Sequence, residues 1–218
     1  MGRVARETAI AEAWPNDRAA GNLARANRSI ARPPVHLRGY AAVMSNAETA
    51  FLIRPVSPGE YEALGDLTVT AYQTTPVFVP AQEDYFVQLR DVERRATTSC
   101  VLVAVTPAGE LLGGVTYVCG PDDPYSEELR EGEAGIRMLA VDPAQRGRGV
   151  GRALTQACLD RATSDGRRRL VLHTGPWMPA AVRLYDRMGF VRRPELDFTP
   201  VPGVDLIAYA YELTGEAE

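Results

Sequence analysis

The sequence predicts an α/β domain, on three observations. The run Arg137–Val141 is mostly apolar, is stopped by Asp142-Pro143, and leads through a glycine-rich turn into a helical pattern. That is a strand–loop–helix unit. From about residue 51 onward, strand-length apolar runs alternate with amphipathic helical patterns. Val101–Val105 and Leu111–Val118 are joined by Pro107-Ala108-Gly109-Glu110 and read as a hairpin, which makes part of the sheet antiparallel.

The opening of the chain is the least readable part. Residues 1–43 are rich in Ala, Arg and Asn, keep no hydrophobic period, and are interrupted by Pro15, Pro33 and Pro34. They hold no apolar core of the kind a secretory signal needs. Met44 begins M-S-N-A-E-T-A-F-L-I-R-P-V, which looks like an ordinary N-terminus before a first strand. Residues 1–44 are therefore expected to be a disordered extension or translated upstream sequence, with a transit peptide as the minor alternative. The folded domain is expected over residues 45–213, followed by a short acidic tail, 214–218.

The elements then follow in order. Phe51–Val56 is a strand. Ser57-Pro58-Gly59-Glu60 starts a helix, with a serine cap, proline in the first turn and glutamate at the third position, running to about Tyr72. Ala81–Arg95 is a second helix with Tyr85, Leu89 and Val92 on one face. In the hairpin, Gly113 and Gly114 suggest a bulge or a close backbone approach. Gly120–Glu131 is an acidic loop, and Glu133–Val141 the central strand. Val150, Ala153, Leu154, Ala157, Cys158 and Ala162 form the apolar face of a helix that Gly166 ends. Arg168–Thr174 is a strand broken by Gly175-Pro176-Trp177-Met178. Pro179–Met188 is a helix ended by Gly189. Phe190-Val191 opens a strand expected to pair with the last one, Asp205–Leu213.

Composition excludes several classes of function. The chain has 218 residues and a formal net charge of −4, which argues against a dedicated nucleic-acid binder. The first 43 residues are net basic and the remainder is net acidic, which favours cationic substrates such as amines. No apolar stretch approaches the length of a membrane span. Every basic residue is arginine, as codon usage in a GC-rich genome would produce. Cys100, Cys119 and Cys158 are odd in number, form no C-x-x-C and sit in apolar runs, so they read as buried free thiols in a reducing, cytoplasmic setting. His36 and His173 are far apart, and no metal site is expected.

The turn Arg146-Gly147-Arg148-Gly149-Val150-Gly151 lies between a strand and the first turn of a helix, where free backbone N–H groups can hold a phosphate. It is not a P-loop, because the chain contains no lysine. It is not the dinucleotide fingerprint either, because Arg152 stands where the third glycine belongs. R-x-x-G-x-G after L-A-V-D-P resembles motif A of the GNAT acyl-CoA N-acyltransferase superfamily. Downstream, Ala181-x-x-Leu184-Tyr185-x-x-x-Gly189-Phe190 resembles its motif B, with Met178 where the family often has asparagine. The resemblance covers roughly residues 50–213.

The resemblance implies a mixed, mainly antiparallel twisted sheet whose central strands splay to hold acyl-CoA. It implies an acetyl transfer from acetyl-CoA to a primary amine, by direct attack in a ternary complex and without a metal. The matching cofactor residues are Leu139, Ala140 and Val141 for the pantetheine and the N–H groups of Arg146, Gly147, Arg148, Gly149, Val150 and Gly151 for the pyrophosphate, with side-chain charge from Arg146, Arg148 or Arg152. Tyr185 matches the tyrosine near the coenzyme A sulfur, an acid for the leaving thiolate. The family often has a glutamate where this chain has Gly135. Glu133, two residues earlier on the same strand face, is the first candidate base, with Glu131 and Glu128 weaker and His173 as an assisting relay. Tyr72, Tyr85 and Phe86 are candidate acceptor-pocket residues. A small-molecule amine is the expected acceptor. A protein or peptide substrate, and a catalytically silent coenzyme A-binding module, remain open. Homodimers are common in the family, and no feature here demands one.

Overall fold

The computed structural model describes residues 42–44, 51–75 and 82–213. The expected tail, and all but Ala42–Met44 of the expected extension, lie outside them. Among the described residues nine strands form the sheet: β1 Ala42–Met44, β2 Phe51–Pro55, β3 Cys100–Val105, β4 Leu111–Val118, β5 Glu133–Val141, β6 Arg169–Thr174, β7 Val191–Arg192, β8 Phe198–Val201 and β9 Val204–Glu212. Their order is β1-β2-β3-β4-β5-β6-β9-β7, with β8 paired to β9. Every pairing is antiparallel except β5 with β6. The α-helices are α1 Tyr61–Gln73, α2 Gln82–Arg90, α3 Val92–Thr98, α4 Val150–Ser164 and α5 Pro179–Arg187. None of the described helices is long and apolar enough to cross a membrane.

The sequence placed most of these elements. The strand Glu133–Val141 is found with those limits, and Gly166 follows α4 in the left-handed region, with φ of 65°. Gly166 N–H donates to Thr163 O and Arg167 N–H to Ala162 O, which closes the helix end as expected. The helix expected over 81–95 is two helices. Asp91 leaves the helical region and its side chain caps α3 by accepting from Arg94 N–H, so a local side-chain bond replaces helix continuity. Ala42–Met44, assigned to the extension, pairs with Phe51–Ile53 as an edge strand. Phe198–Val201, to which the sequence pattern assigns no strand, pairs with β9 as β8. Cys119 is exposed rather than buried, because it lies just past the Val118–Gly135 pair that ends the β4–β5 ladder, whereas Cys158 is buried.

The main core lies between the sheet and α4. Leu154, Ala157, Cys158 and Ala162 pack on Leu102, Leu112, Val115, Ile136, Leu170 and Leu172. A smaller core under α1 joins Leu64 and Val92 to Val101, Val103 and Val105.

Two features of the centre position the site. β5 pairs with β6 only from Glu133↔Arg169 to Ile136↔Leu172, so Arg137–Val141 has a ladder on the β4 side alone. On that side the register shifts by one residue between Gly114 and Thr116, and Met138 adopts a positive φ of 52°. This is a bulge, and it re-aims successive β5 side chains. The hairpin glycines make room for it. A Cβ on Gly113 would meet Ala140 O at 2.5 Å, and one on Gly114 would meet Leu64 Cδ1 at 2.7 Å. Gly113→Ala is expected to destabilise the fold by about 2 kcal/mol. Gly59→Ala, where a Cβ meets nothing within 4 Å, should sit close to wild type. Urea denaturation of both variants is the check, and equal midpoints would refute the close-approach account.

Candidate active site

The glycine-rich turn is built as an open backbone cradle. Gly147 and Gly149 have φ of 81° and 83°, conformations that L side chains rarely adopt, and a Cβ at either would meet nothing within 4 Å. Gly149 is the N-cap of α4 and supplies no side-chain bond to the helix end, which leaves the first-turn N–H groups for another acceptor. A Cβ on Gly151 would lie 3.5 Å from Leu184 Cδ2 and 3.6 Å from Val141 Cγ2. The first turn of α4, the motif B helix and the end of β5 therefore meet at one residue, as the two motifs together implied.

The three arginines differ in what they do. Arg146 Nη2 donates to Ala71 O (3.2 Å) and Thr74 Oγ1 (2.6 Å), tying the turn to the C-terminal end of α1. Arg148 Nη1 donates to Gln145 Oε1 (2.6 Å), and Arg152 is exposed. Leu139 and Val141 are half-buried and Ala140 is buried along the unpaired edge of β5.

Beside that edge lies a cavity of about 600 Å³. Its walls include Tyr72 and Tyr85 from α1 and α2, Asp123–Glu128 from the acidic loop, Ile136–Met138 from β5, His173, Gly175, Trp177 and Met178 at the end of β6, and Phe198, Val204 and Leu206 from the β8–β9 hairpin. Tyr72 and Tyr85 meet edge to face at 5.9 Å, and His173 meets Phe198 in the same way at 4.9 Å. Burial raises both tyrosine phenols, Tyr85 the further. Phe86 is absent from the lining, whereas Tyr72 and Tyr85 are part of it, as expected for pocket residues.

At the floor sits a charge cluster that sequence reasoning did not assemble. Glu127, on a residue with φ of 53°, places Oε2 2.9 Å from Arg137 Nε and 3.3 Å from His173 Nδ1. Neither nitrogen is aimed well enough for a hydrogen bond, so Arg137 meets the carboxylate as an ion pair and His173 lies beside it without a hydrogen bond. Arg137, 7% exposed, also donates from Nη1 to Ile136 O and from Nη2 to Ser126 O, both at 2.9 Å. Burial pushes the Glu127 carboxyl up, but Arg137 and then His173 pull harder, and the net is below the usual carboxylate range. His173 Nε2 stands 2.9 Å from Leu196 O. A carbonyl only accepts, so Nε2 carries a proton.

The expected catalytic pair is placed differently. Glu133 is 1% exposed at the start of β5, where its carboxylate accepts from Arg130 N–H (2.9 Å) and Arg169 Nη1 (3.1 Å). It does not line the cavity, because the β5–β6 ladder closes over that end of the strand. Tyr185 is buried on the α4 side of the sheet against Phe190 and Tyr209, and is likewise absent from the lining. Burial raises its phenol, which keeps its proton at neutral pH. Glu131 and Glu128 are exposed, and Glu128 reaches the cavity rim. The signal that could have found Glu127 is Arg137, the one cation within the central strand, which must be paired when buried.

Because the folded carboxyl of Glu127 lies below its unfolded value, its ionic contacts stabilise the fold above about pH 4.3, and that contribution is lost as pH falls through the folded value. Glu127→Gln should therefore lower stability by about 1–3 kcal/mol near neutral pH. The difference from wild type should shrink as the pH falls through the folded value, as urea denaturation at neutral and at progressively more acid pH would show.

Comparison with known proteins agrees with this architecture. The sequence profile of the acetyltransferase (GNAT) family matches residues 62–190. Mycothiol acetyltransferase of Salinispora tropica is 39% identical over 92 residues, covering 42% of this chain and 28% of that protein. N-alpha-acetyltransferase 30 of Schizosaccharomyces pombe is 38% identical over 74 residues, covering 34% of this chain and 49% of that protein. The chain thus spans less than a third of the mycothiol enzyme it matches and about half of the yeast one. Among solved structures, a GNAT-family acetyltransferase of Staphylococcus aureus Mu50 superposes with a TM-score of 0.61 at 15% identity, over 76% of this chain and all of that one. The yncA protein of Salmonella typhimurium, solved with acetyl-CoA, gives 0.54 at 20% identity, over 80% of this chain and 98% of that one.

Proposed function

The chain belongs to the acetyltransferase (GNAT) family, and on that premise we propose that it moves an acetyl group from acetyl-CoA to the primary amine of a small molecule held in the cavity, with both substrates bound together. The observation that carries this reading is a coincidence of position. β5 and β6 stop pairing after Ile136 and Leu172, and the cavity, with its Glu127–Arg137–His173 floor, opens at the next residues of both strands. A cavity of about 600 Å³, open at one side, has the volume of a small-molecule site, which favours a small acceptor.

Acetyl-CoA is the acyl donor of this family, and it supplies an activated thioester when bound. The residues present suit it. The N–H groups of Arg146–Gly151 would hold the pyrophosphate over a cradle that any Cβ at Gly147 or Gly149 would strain, and the unpaired edge Leu139–Val141 would pair with the pantetheine. The bulge at Met138 leaves a backbone N–H on that edge suited to a developing oxyanion.

An ammonium group, with a pKa of about 10.4, must lose a proton before it can attack. Glu127 meets Arg137 and His173 through Oε2, which would leave Oε1 for the acceptor's ammonium. A modest rotation of the carboxylate would bring it into line with Nδ1 of His173. The proton taken from the amine would then lie between Glu127 and His173. We assign the base to this pair in place of Glu133, and keep Tyr185 as the proton donor to the leaving thiolate. A cytoplasmic setting fits the three free thiols.

Coenzyme A release with an accepted amine, measured beside acetyl-CoA affinity, checks these roles. Glu127→Gln is expected to lower kcat/KM by about 100-fold and Tyr185→Phe by about 10- to 100-fold, both with acetyl-CoA affinity retained. Glu133→Gln should change kcat/KM little. A severe loss in Glu133→Gln with an intact fold, beside normal turnover in Glu127→Gln, would return the base to Glu133.

A further inference from the structure

We infer that the acceptor is a primary amine on an aromatic body that carries no carboxylate. This rests on the acyl-transfer reading above and names its substrate class.

The walls supply aromatic contact on two sides. The Tyr72–Tyr85 pair stands on one, Trp177 and Phe198 on another, with Met138, Met178 and Leu206 filling between. Trp177 owes its place to Gly175. A Cβ there would lie 2.3 Å from the indole Cε2, so the ring packs flat on the backbone where β6 ends. Faces of this kind bind an aromatic body by area and an ammonium by cation–π attraction.

The charges choose between amines. Asp123, Glu127 and Glu128 line the cavity. Asp123 is already occupied: it accepts from Ser99 Oγ at 2.8 and 2.9 Å and from Tyr125 N–H at 2.8 Å, and burial raises its carboxyl. Glu127 Oε1 and the exposed Glu128 remain for an ammonium. Among the described lining residues the only basic side chains are Arg137 and His173. Arg137 is committed to Ile136 O, Ser126 O and Glu127, and His173 to Leu196 O and Glu127. An α-amino acid would bring a carboxylate that finds acids and no free cation. It would lose hydration without gaining a partner.

The test is coenzyme A release from acetyl-CoA with phenethylamine, tryptamine, phenylalanine, phenylalaninamide and spermidine as acceptors. Phenethylamine and tryptamine are expected to exceed phenylalanine in kcat/KM by at least about 100-fold. Phenylalaninamide, which keeps the backbone and removes the charge, should recover to within about 10-fold of phenethylamine. Trp177→Ala and Gly175→Ala should raise KM for tryptamine more than they lower kcat. Phenylalanine matching phenethylamine, or spermidine outranking both aromatic amines, would overturn the acceptor class while leaving acyl transfer standing. Acetyl-CoA binding by calorimetry without turnover on any of the five would overturn the acyl-transfer reading together with this one.

Discussion

The structure depends on one failure of pairing. β5 is the strand from which every part of the site is measured, and its hydrogen bonds to β6 end at Ile136↔Leu172. Buried backbone groups are almost always paired, so a central strand with one unpaired edge is held open by the rest of the fold for a partner outside the sheet. Here the means are visible. The bulge at Met138 takes up an extra residue on the β4 side, and Gly113 and Gly114 let β4 follow it without a side chain in the way. The parallel pairing of β5 with β6 requires a crossover, and α4 provides it, which sets the N-terminus of that helix at the mouth of the opening.

The same opening divides the molecule by chemistry. On one side the Arg146–Gly151 cradle, the motif B helix and the unpaired edge of β5 come together, and Gly151 is where they touch. On the other side the acidic loop, α1, α2 and the β8–β9 hairpin enclose the cavity. Arg146 links the two, because its guanidinium holds both Ala71 O and Thr74 Oγ1 at the end of α1. A side chain read from sequence as phosphate charge thus also fixes the donor loop against the acceptor wall.

What was legible in the sequence is what local chemistry decides. Gly147 and Gly149 sit at positive φ and Gly166 ends α4, conformations that glycine announces by itself. The limits of β5 and the pairing of β7 with β9 follow from apolar runs between turn residues. What was not legible depends on distant chain segments. β8 is held by its pairing to β9, and the Asp91 break is a side-chain bond in competition with helix. Glu127 lies in a loop with no period and takes its place from Arg137 and His173, ten and forty-six residues away in the chain. Period-two reasoning carried Glu133 to the correct face of the strand but could not show that the β6 ladder and Arg169 close it off.

Arg137 shows how that gap narrows. A guanidinium within a buried strand cannot shed its charge, so its neighbours must meet five N–H donors and one positive charge. Two donors go to backbone carbonyls of the strand and of the acidic loop, and Glu127 supplies the charge. The loop is thereby pinned to β5 by the residue that sets the electrostatics of the cavity floor. A carboxylate held low by Arg137 is a weak proton acceptor by itself, and the acceptor proposed for it is a strongly basic amine. His173, with Nδ1 3.3 Å from the same carboxylate, is placed to share the proton that Glu127 takes up in the proposed reaction. The arginine that stabilises the loop thereby gives the histidine its part in that proposal.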